Sequence, residues 1–489
     1  MSTDTTFAAL GVPQILADLL AEDGITVPTP IQALTLPASL AGRDVLGRGR
    51  TGSGKTYAFV LPLLTRLTQA AAARQPRRPR ALILAPTREL ATQIDTAMAP
   101  MARALRLTTQ TIFGGVGQGP QVQALRSGVD IVVACPGRLE DLMQQGHVQL
   151  DRVEVTILDE ADHMADLGFL PGVRRIMGAT PPVGQRMLFS ATLDAGVNVI
   201  VKRFLTNPVT HEADSAQSPV SRMSHHVLHV TADGHLPVLL DLTAAPGRTV
   251  VFTRTKHRAK KIARQLNASG VPAVELHGNL SQGARTRNMD DFSSGRAQTL
   301  VATDIAARGI HVDDVALVIH ADPPVEHKAY LHRSGRTARA GNEGTVITLM
   351  MDDQLRDVRD LTRKAGINPT TTTVAAGHPL LVQLAPGERS FAGGLVRAEE
   401  PSQARPGRSV SGSGGGRGSA RVRRAGGGST AGAAARHDSA PAAGGGQRRG
   451  DGRPGRSQAR SGGSVAVYSS SSGGAAAFSA GGGSRRRSR

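Results

Sequence analysis

Between residues 40 and 350 short β-branched runs alternate with longer amphipathic stretches, and each run opens directly into a polar or glycine-bearing loop. Parallel βαβ units require that alternation, because a parallel neighbour is reached only through a crossover of about a dozen residues or more. In the first half the runs are Ala81–Ala85, Ile131–Ala134, Val153–Leu158 and Met187–Phe189, followed by PTRELA, CPGR, DEAD and SAT. In the second half they are Thr249–Phe252, Val271–Leu276, Thr299–Ala302, Val315–Ile319 and Thr345–Leu349. The pattern predicts an α/β fold of two parallel-sheet domains in tandem. Ligands are expected beyond the carboxyl ends of the strands, where these loops emerge. A polar, aperiodic stretch from about His211 to Ser221 separates the halves; the domains are expected at residues 1–213 and 223–375, with a linker at 214–222. No short internal repeat relates one half to the other.

Charge points to the class of partner. Lys+Arg total 58 against 39 Asp+Glu, a net charge of +19 that attracts polyanions without regard to fold. Residues 401–489 hold 16 Arg, no Lys, 2 Asp and 23 of the 57 glycines, so 16 − 2 = +14 of that charge lies there. Such a stretch buries too little apolar surface to offset its ordering entropy, so the extension over 376–489 is expected to end in a disordered Arg/Gly/Ser-rich tail. The single cysteine, Cys135, excludes an intramolecular disulfide framework and a cysteine-based zinc site. No run of about 18 apolar residues is present, and the first residues lack the basic and apolar regions of a signal peptide. A soluble, cytoplasmic protein without a membrane partner is expected.

Two motifs carry chemistry on their own residues. Gly49–Thr56 reads GRTGSGKT, which fits G-x-x-x-x-G-K-[ST] after the apolar Val45-Leu46 and before a helical pattern. Backbone N–H groups of Thr51, Gly52, Ser53 and Gly54 would converge on phosphate oxygens, Lys55 would reach the β and γ phosphates, and the Thr56 hydroxyl would hold Mg²⁺. Asp159-Glu160-Ala161-Asp162 follows the VEVTIL run. A carboxylate there can complete the metal shell and a second can orient an attacking water; Asp159 is assigned to the metal and Glu160 to the water.

With these motifs in this order the chain resembles the DEAD-box RNA helicases of helicase superfamily two over about residues 7 to 350. The resemblance implies two RecA-like domains, ATP and Mg²⁺ as cofactors, and RNA as the macromolecular partner. Thr29-Pro30-Ile31-Gln32 resembles the adenine-reading Q motif, with Phe7 as the isolated upstream aromatic. Pro86, Thr87, Arg88, Gly115, Gly137 and Arg138 match the first domain's RNA track, and Arg254, Arg285 and Thr303 the second domain's. Asp304 and Gly309 are implied at the nucleotide. Ser190, Thr192 and His332 are implied in coupling. Tyr330–Gly341, YLHRSGRTARAG, resembles the family's motif VI and implies Arg336 and Arg339 as catalytic with Lys55, Asp159 and Glu160. Three apart, those arginines share one face if the segment is helical. Two residues depart from the family pattern: Cys135 stands where Thr is usual and His311 where Asp is usual.

The implied function is RNA-stimulated ATP hydrolysis, driving closure of two domains on RNA with local duplex unwinding or ribonucleoprotein remodelling. A DNA helicase of the same superfamily and a hydrolysis-dead RNA scaffold are the alternatives.

Overall fold

The structure is a computed structural model that describes residues 5–49, 52–69, 72–213, 223–307, 314–338 and 343–395. The expected linker at 214–222 and the tail beyond 395 lie outside the described residues, as do Thr51, Gly309, His311 and Arg339.

The first domain is a parallel seven-stranded sheet of β1 (Val45–Arg48), β2 (Ala81–Leu84), β3 (Thr109–Ile112), β4 (Ile131–Ala134), β5 (Val155–Leu158), β6 (Gln185–Ser190) and β7 (Val209–Glu212), in the order β3-β4-β2-β5-β6-β1-β7. The second has β8 (Met223–His229), β9 (Arg248–Thr253), β10 (Ala273–Leu276), β11 (Thr299–Thr303), β12 (Val315–His320), β13 (Gly344–Met350) and β14 (Thr370–Thr373), ordered β10-β11-β9-β12-β13-β8-β14. The two orders are identical once the second is renumbered, so the halves share one topology without a visible sequence repeat.

Alternation along the strands feeds two cores per sheet, because successive side chains leave a strand on opposite faces. Ala81, Ile83, Ile131 and Val133 pack in one cluster of the first domain, and Leu82, Leu84, Val132 and Ala134 in the other. Helices cover both faces, which is why β2, β4 and β5 are buried at every residue. Three of the four edge strands read differently. β3 is TQTI, β7 is VTHE and β14 is TTTT, and none has an apolar run. The separating stretch therefore starts later than its polarity suggests: His211 pairs with Gly47 and Glu212 with Arg48 inside the sheet.

The extension from residue 376 begins as packed structure. Helix Pro379–Leu384 is followed by a segment in which Ser390 N donates to Ala244 O at 2.8 Å and Leu395 N to Asn267 Oδ1 at 2.7 Å, both in the second domain. Among the described residues no helix is long and apolar enough to cross a membrane.

The topology sorts the loops. In the first sheet the expected phosphate-handling loops follow β1, β5 and β6, which are adjacent, while PTRELA, the Gly114-Gly115 pair and CPGR follow β2, β3 and β4 on the other side. The second sheet has the same division, with Arg254, Arg285 and Thr303 beyond β9, β10 and β11, and Arg336 beyond β12.

Candidate functional site

Gly52 and Gly54 adopt φ of 84° and 88°, a region that side chains disfavour, and turn the backbone into helix Lys55–Gln69. A Cβ on Gly54 would lie 2.6 Å from Thr29 Oγ1 and 2.7 Å from Gln32 Nε2, so only glycine fits. Lys55 is 7% exposed and donates to Gly49 O at 2.6 Å. Ser53 Oγ is buried with no hydrogen-bond partner among the described residues, as expected of a group waiting for a ligand oxygen. Together with Asp159 and Glu160 the loop lines a cleft of about 260 Å³, and Tyr57 and Gln93 add walls that motif matching did not single out.

The upstream residues make their contacts within the first domain. Gln32 accepts from Thr29 N at 2.8 Å and donates to Gly54 O at 2.9 Å, so its amide ties helix Pro30–Leu40 to the phosphate loop. Phe7 is 2% exposed and packed in the first core cluster, so its ring offers no open face for stacking.

At the end of β5 the chain turns sharply. Glu160 takes φ 49° and ψ 53°, a left-handed conformation that costs a non-glycine residue energy and places its carboxylate toward the cleft. Burial pushes the Asp159 carboxyl up to about 7; Lys55 opposes that and Glu160 adds to it. Burial also acts to raise Glu160, but the hydrogen bond and charge of His163, with Lys55 and Arg336, outweigh it and hold the group at about 2. His163 Nδ1 lies 3.2 Å from Glu160 Oε2. Its position, three residues on in the following helix, is the only signal by which the sequence could have marked it.

Asp162 connects this turn to the S-A-T loop. Its Oδ2 accepts from Thr192 N at 2.8 Å and Thr192 Oγ1 at 2.9 Å, and its N donates to Ser190 Oγ at 3.2 Å. Ser190 and Thr192 are therefore one hydrogen bond from the carboxylate turn.

In the second domain helix His327–Ser334 ends before Arg336, so the helical condition for a shared face is not met at Arg336, and Arg339 lies outside the described residues. Arg336 lies in the turn beyond it, 7% exposed, with Nε donating to His332 O at 3.3 Å. Its charge reaches Glu160 of the first domain. Arg333 is 2% exposed and held on three sides: Nε and Nη2 pair with Asp304 at 2.5 and 2.7 Å, Nη1 donates to Asp322 O at 2.8 Å, and the guanidinium lies 5.2 Å from the Phe252 ring centroid. Asp304, expected at the nucleotide, has both oxygens engaged in holding Arg333.

Residues expected along the RNA track also meet across the domains. Arg285 Nε pairs with Glu89 Oε1 at 2.7 Å, Gln282 Nε2 donates to the same oxygen at 3.3 Å, and Arg88 Nη1 donates to Gln282 Oε1 at 3.1 Å. The Arg88 guanidinium fills the space where a Gly115 Cβ would stand. Thr87 caps helix Arg88–Ala104, Pro86 is buried beside it, and Thr303 ends β11. Arg254 Nη2 donates to Pro323 O at 3.1 Å. Gly137 is exposed, and Arg138 Nη1 is buried without a hydrogen-bond partner among the described residues. Cys135 makes no side-chain cap bond, and burial pushes its thiol up to about 12, so it offers neither a strong donor nor a thiolate.

Comparison with known proteins agrees with the two-domain fold. Residues 29–200 match the DEAD/DEAH box helicase family and residues 234–341 the helicase conserved C-terminal domain. The ATP-dependent RNA helicase RhlB of Shigella dysenteriae is 39% identical over 357 residues, 72% of this chain and 85% of that protein. The DEAD-box ATP-dependent RNA helicase 20 of Arabidopsis thaliana is 38% identical over 361 residues, 73% of this chain and 72% of that protein. The match to the chloroplastic DEAD-box ATP-dependent RNA helicase 3A of Zea mays, at 40% identity over 74% of this chain, spans only 49% of the maize protein. Among solved structures, Saccharomyces cerevisiae Dbp5 bound to RNA and ADP BeF3 gives a TM-score of 0.66 at 29% identity, covering 75% of this chain and 95% of that one. With two sheets of one topology, and relatives of 38% and 39% identity matched over 72% and 85% of their length, the chain belongs to the DEAD-box helicase family.

Proposed function

We propose that the chain is an ATP-dependent RNA helicase. ATP would sit between the domains, and its hydrolysis would be coupled to RNA held along the adjacent loops. The observation that carries this reading is the cleft lined by Gly52, Gly54, Lys55, Asp159 and Glu160 of the first domain, where the charge of Arg336 from the second domain helps to hold the Glu160 carboxyl low. Backbone amides and Lys55 would bind the phosphates, Glu160 would orient water, and Arg336 would face the charge that develops on the transferred phosphoryl group. On the far side of each sheet, Arg88, Arg138, Arg254, Arg285 and Thr303 would hold RNA phosphates without reading bases. In the structure, Arg88 and Arg285 contact each other's domains through Gln282 and Glu89, so a strand bound there would touch both domains at once. Closing both tracks on a single strand would exclude a regular duplex. Opening about three base-pair steps at ~1.4 kcal/mol each costs about 4 kcal/mol, within reach of nucleotide binding. Work on cytoplasmic RNA fits this chemistry.

ATP turnover by the full chain, measured with single-stranded RNA, duplex RNA and DNA, tests the reading. Stimulation by RNA and not by DNA is expected. Equal stimulation by DNA would favour the DNA helicase, and RNA binding without turnover the scaffold.

Mg²⁺ fits the residues present. Among the described residues no group of three or more His, Cys, Asp or Glu could hold a metal alone, whereas Mg²⁺ commonly takes one carboxylate with substrate phosphates and waters. Asp159, with Thr56, would hold it, and the ion would neutralise phosphate charge. Because burial raises Asp159 to about 7, its ionisation opposes folding as pH rises through that value. A cation binding the ionised form reverses the effect. Mg²⁺ with ADP should therefore raise Tm more at about pH 8 than at about pH 5.5, and Asp159→Asn should abolish that difference. A gain independent of pH would count against Asp159 as ligand.

The basic tail is proposed as an electrostatic tether for RNA. Truncation after residue 400 should weaken RNA binding and flatten its salt dependence, with little change in turnover at saturating RNA. If about five arginines contact single strands, the log–log slope should lose about 3.5 in magnitude. An unchanged slope would refute the tether.

A further inference from the structure

Asp194 lies two residues beyond Thr192 and caps helix Ala195–Phe204, accepting from Val197 N at 3.0 Å. Its other oxygen accepts from Lys328 Nζ of the second domain at 3.0 Å, with side-chain exposures of 24% for Asp194 and 33% for Lys328. Burial works against the Asp194 carboxylate, yet the Val197 amide and Lys328 hold it below the usual range. The hydrogen bond to Asp194 raises the Lys328 ammonium, and Asp166 and Asp162 add to its attraction. Lys328 thus faces an acidic corner of the first domain that begins at the S-A-T loop.

Lys328 occupies the first turn of helix His327–Ser334, and the chain leaves the far end of that helix into Arg336. Six residues from Lys328 to Ser334 rise about 9 Å along the axis. The segment is tied to the first domain at Asp194 by an ion pair, and beyond its far end the charge of Arg336 acts on Glu160. One contact leaves a short helix free to pivot; two fix its orientation. The first domain closes the circuit internally, since Asp162 bonds the loop that leads to Asp194 and follows Glu160 by two residues.

We propose that the Asp194–Lys328 pair is a second docking point between the domains, which sets the register of the Arg336 segment over the phosphate site and makes Lys328 a positioning residue for ATP hydrolysis. The inference rests on the function proposed above. It differs from the Glu89–Arg285 contact, which lies on the RNA half of the sheets. A flexible stem ending in a compact charge with three donors suits a contact that must form and break in each cycle.

A double-mutant cycle on the full chain tests it. Asp194→Asn removes the charge but keeps an oxygen for the Val197 amide, so the helix cap survives. Lys328→Met removes the partner while preserving the stem. Each single variant should lower RNA-stimulated kcat about tenfold with less than about a twofold change in KM for ATP. The double variant should be no worse than either single, because the two remove one interaction. Lys328→Arg, which keeps the charge, should recover most of kcat. A double variant about a hundredfold down, or singles at wild-type kcat, would overturn the inference while leaving the helicase reading intact. An unmodified chain without RNA-stimulated turnover would overturn both.

Discussion

Arg336→Ala should lower RNA-stimulated ATP turnover by about 10³- to 10⁵-fold, while nucleotide binding to the first domain changes little. An arginine that stabilises a phosphoryl-transfer transition state acts on charge that spreads over the equatorial oxygens as the bond breaks, and the ground state feels far less of it. Two observations support that role for Arg336. It is almost fully buried, where screening is weak, and its charge already acts on Glu160. Its backbone is fixed by the turn after helix His327–Ser334, which Arg333 anchors to Asp304 and to Asp322 O. Arg336→Lys should recover little, because a point charge cannot reproduce the planar fork. The check is kcat at saturating RNA alongside a titration with a fluorescent ATP analogue. A loss below tenfold, or an equal loss in binding, would remove Arg336 from the transition state.

The parts of this arrangement that could be read from residue order are those where chemistry and packing ask for the same residue types. Central strands such as Ile131–Ala134 are buried on both faces, so they are written as continuous apolar runs. The edge strands β3 and β14 have one partner and are partly exposed, so TQTI and TTTT carry no such mark. Strand β8, MSHHVLH, sits between β13 and β14, yet three histidines hide it. His225 bonds Tyr330 Oη at 2.9 Å, so its polarity answers to a side chain 105 positions away.

The site divides along the same line. Lys55, Asp159, Glu160 and the S-A-T loop lie in contiguous motifs at strand ends, and the fold brings them together as their order implies. Asp304 and Gln32 were assigned by resemblance to the nucleotide, but their atoms contact Arg333 and Gly54, partners 29 and 22 residues away. His163 and Lys328 belong to no motif with chemistry of its own. Their roles come from partners that only the tertiary fold supplies, Glu160 across a helical turn and Asp194 across the domains.

Glu160→Gln should lower RNA-stimulated turnover by about 10²- to 10⁴-fold while ATP and RNA binding persist. The substitution keeps the shape and an acceptor for His163 and deletes only the negative charge. That charge is secure in the unmodified chain: against the desolvation of its buried position, His163, Lys55 and Arg336 hold the carboxyl at about 2. A group so placed is ionised throughout the range in which the fold is handled, so it can polarise and orient a water at any working pH. It follows that turnover should show no acid limb from Glu160 above about pH 4. Any fall between pH 8 and about 6 should instead follow Asp159, whose carboxyl titrates near 7 until a cation takes the proton's place. In the Glu160→Gln variant that fall should move to lower pH, because the charge that adds to the rise of Asp159 is gone, on a rate about a thousandfold lower. With hydrolysis slowed and binding intact, the variant should also hold RNA longer in ATP than in ADP, readable as a slower off-rate of labelled single strands. A variant that turns over ATP at more than about a tenth of the normal rate would show that water is oriented by another group.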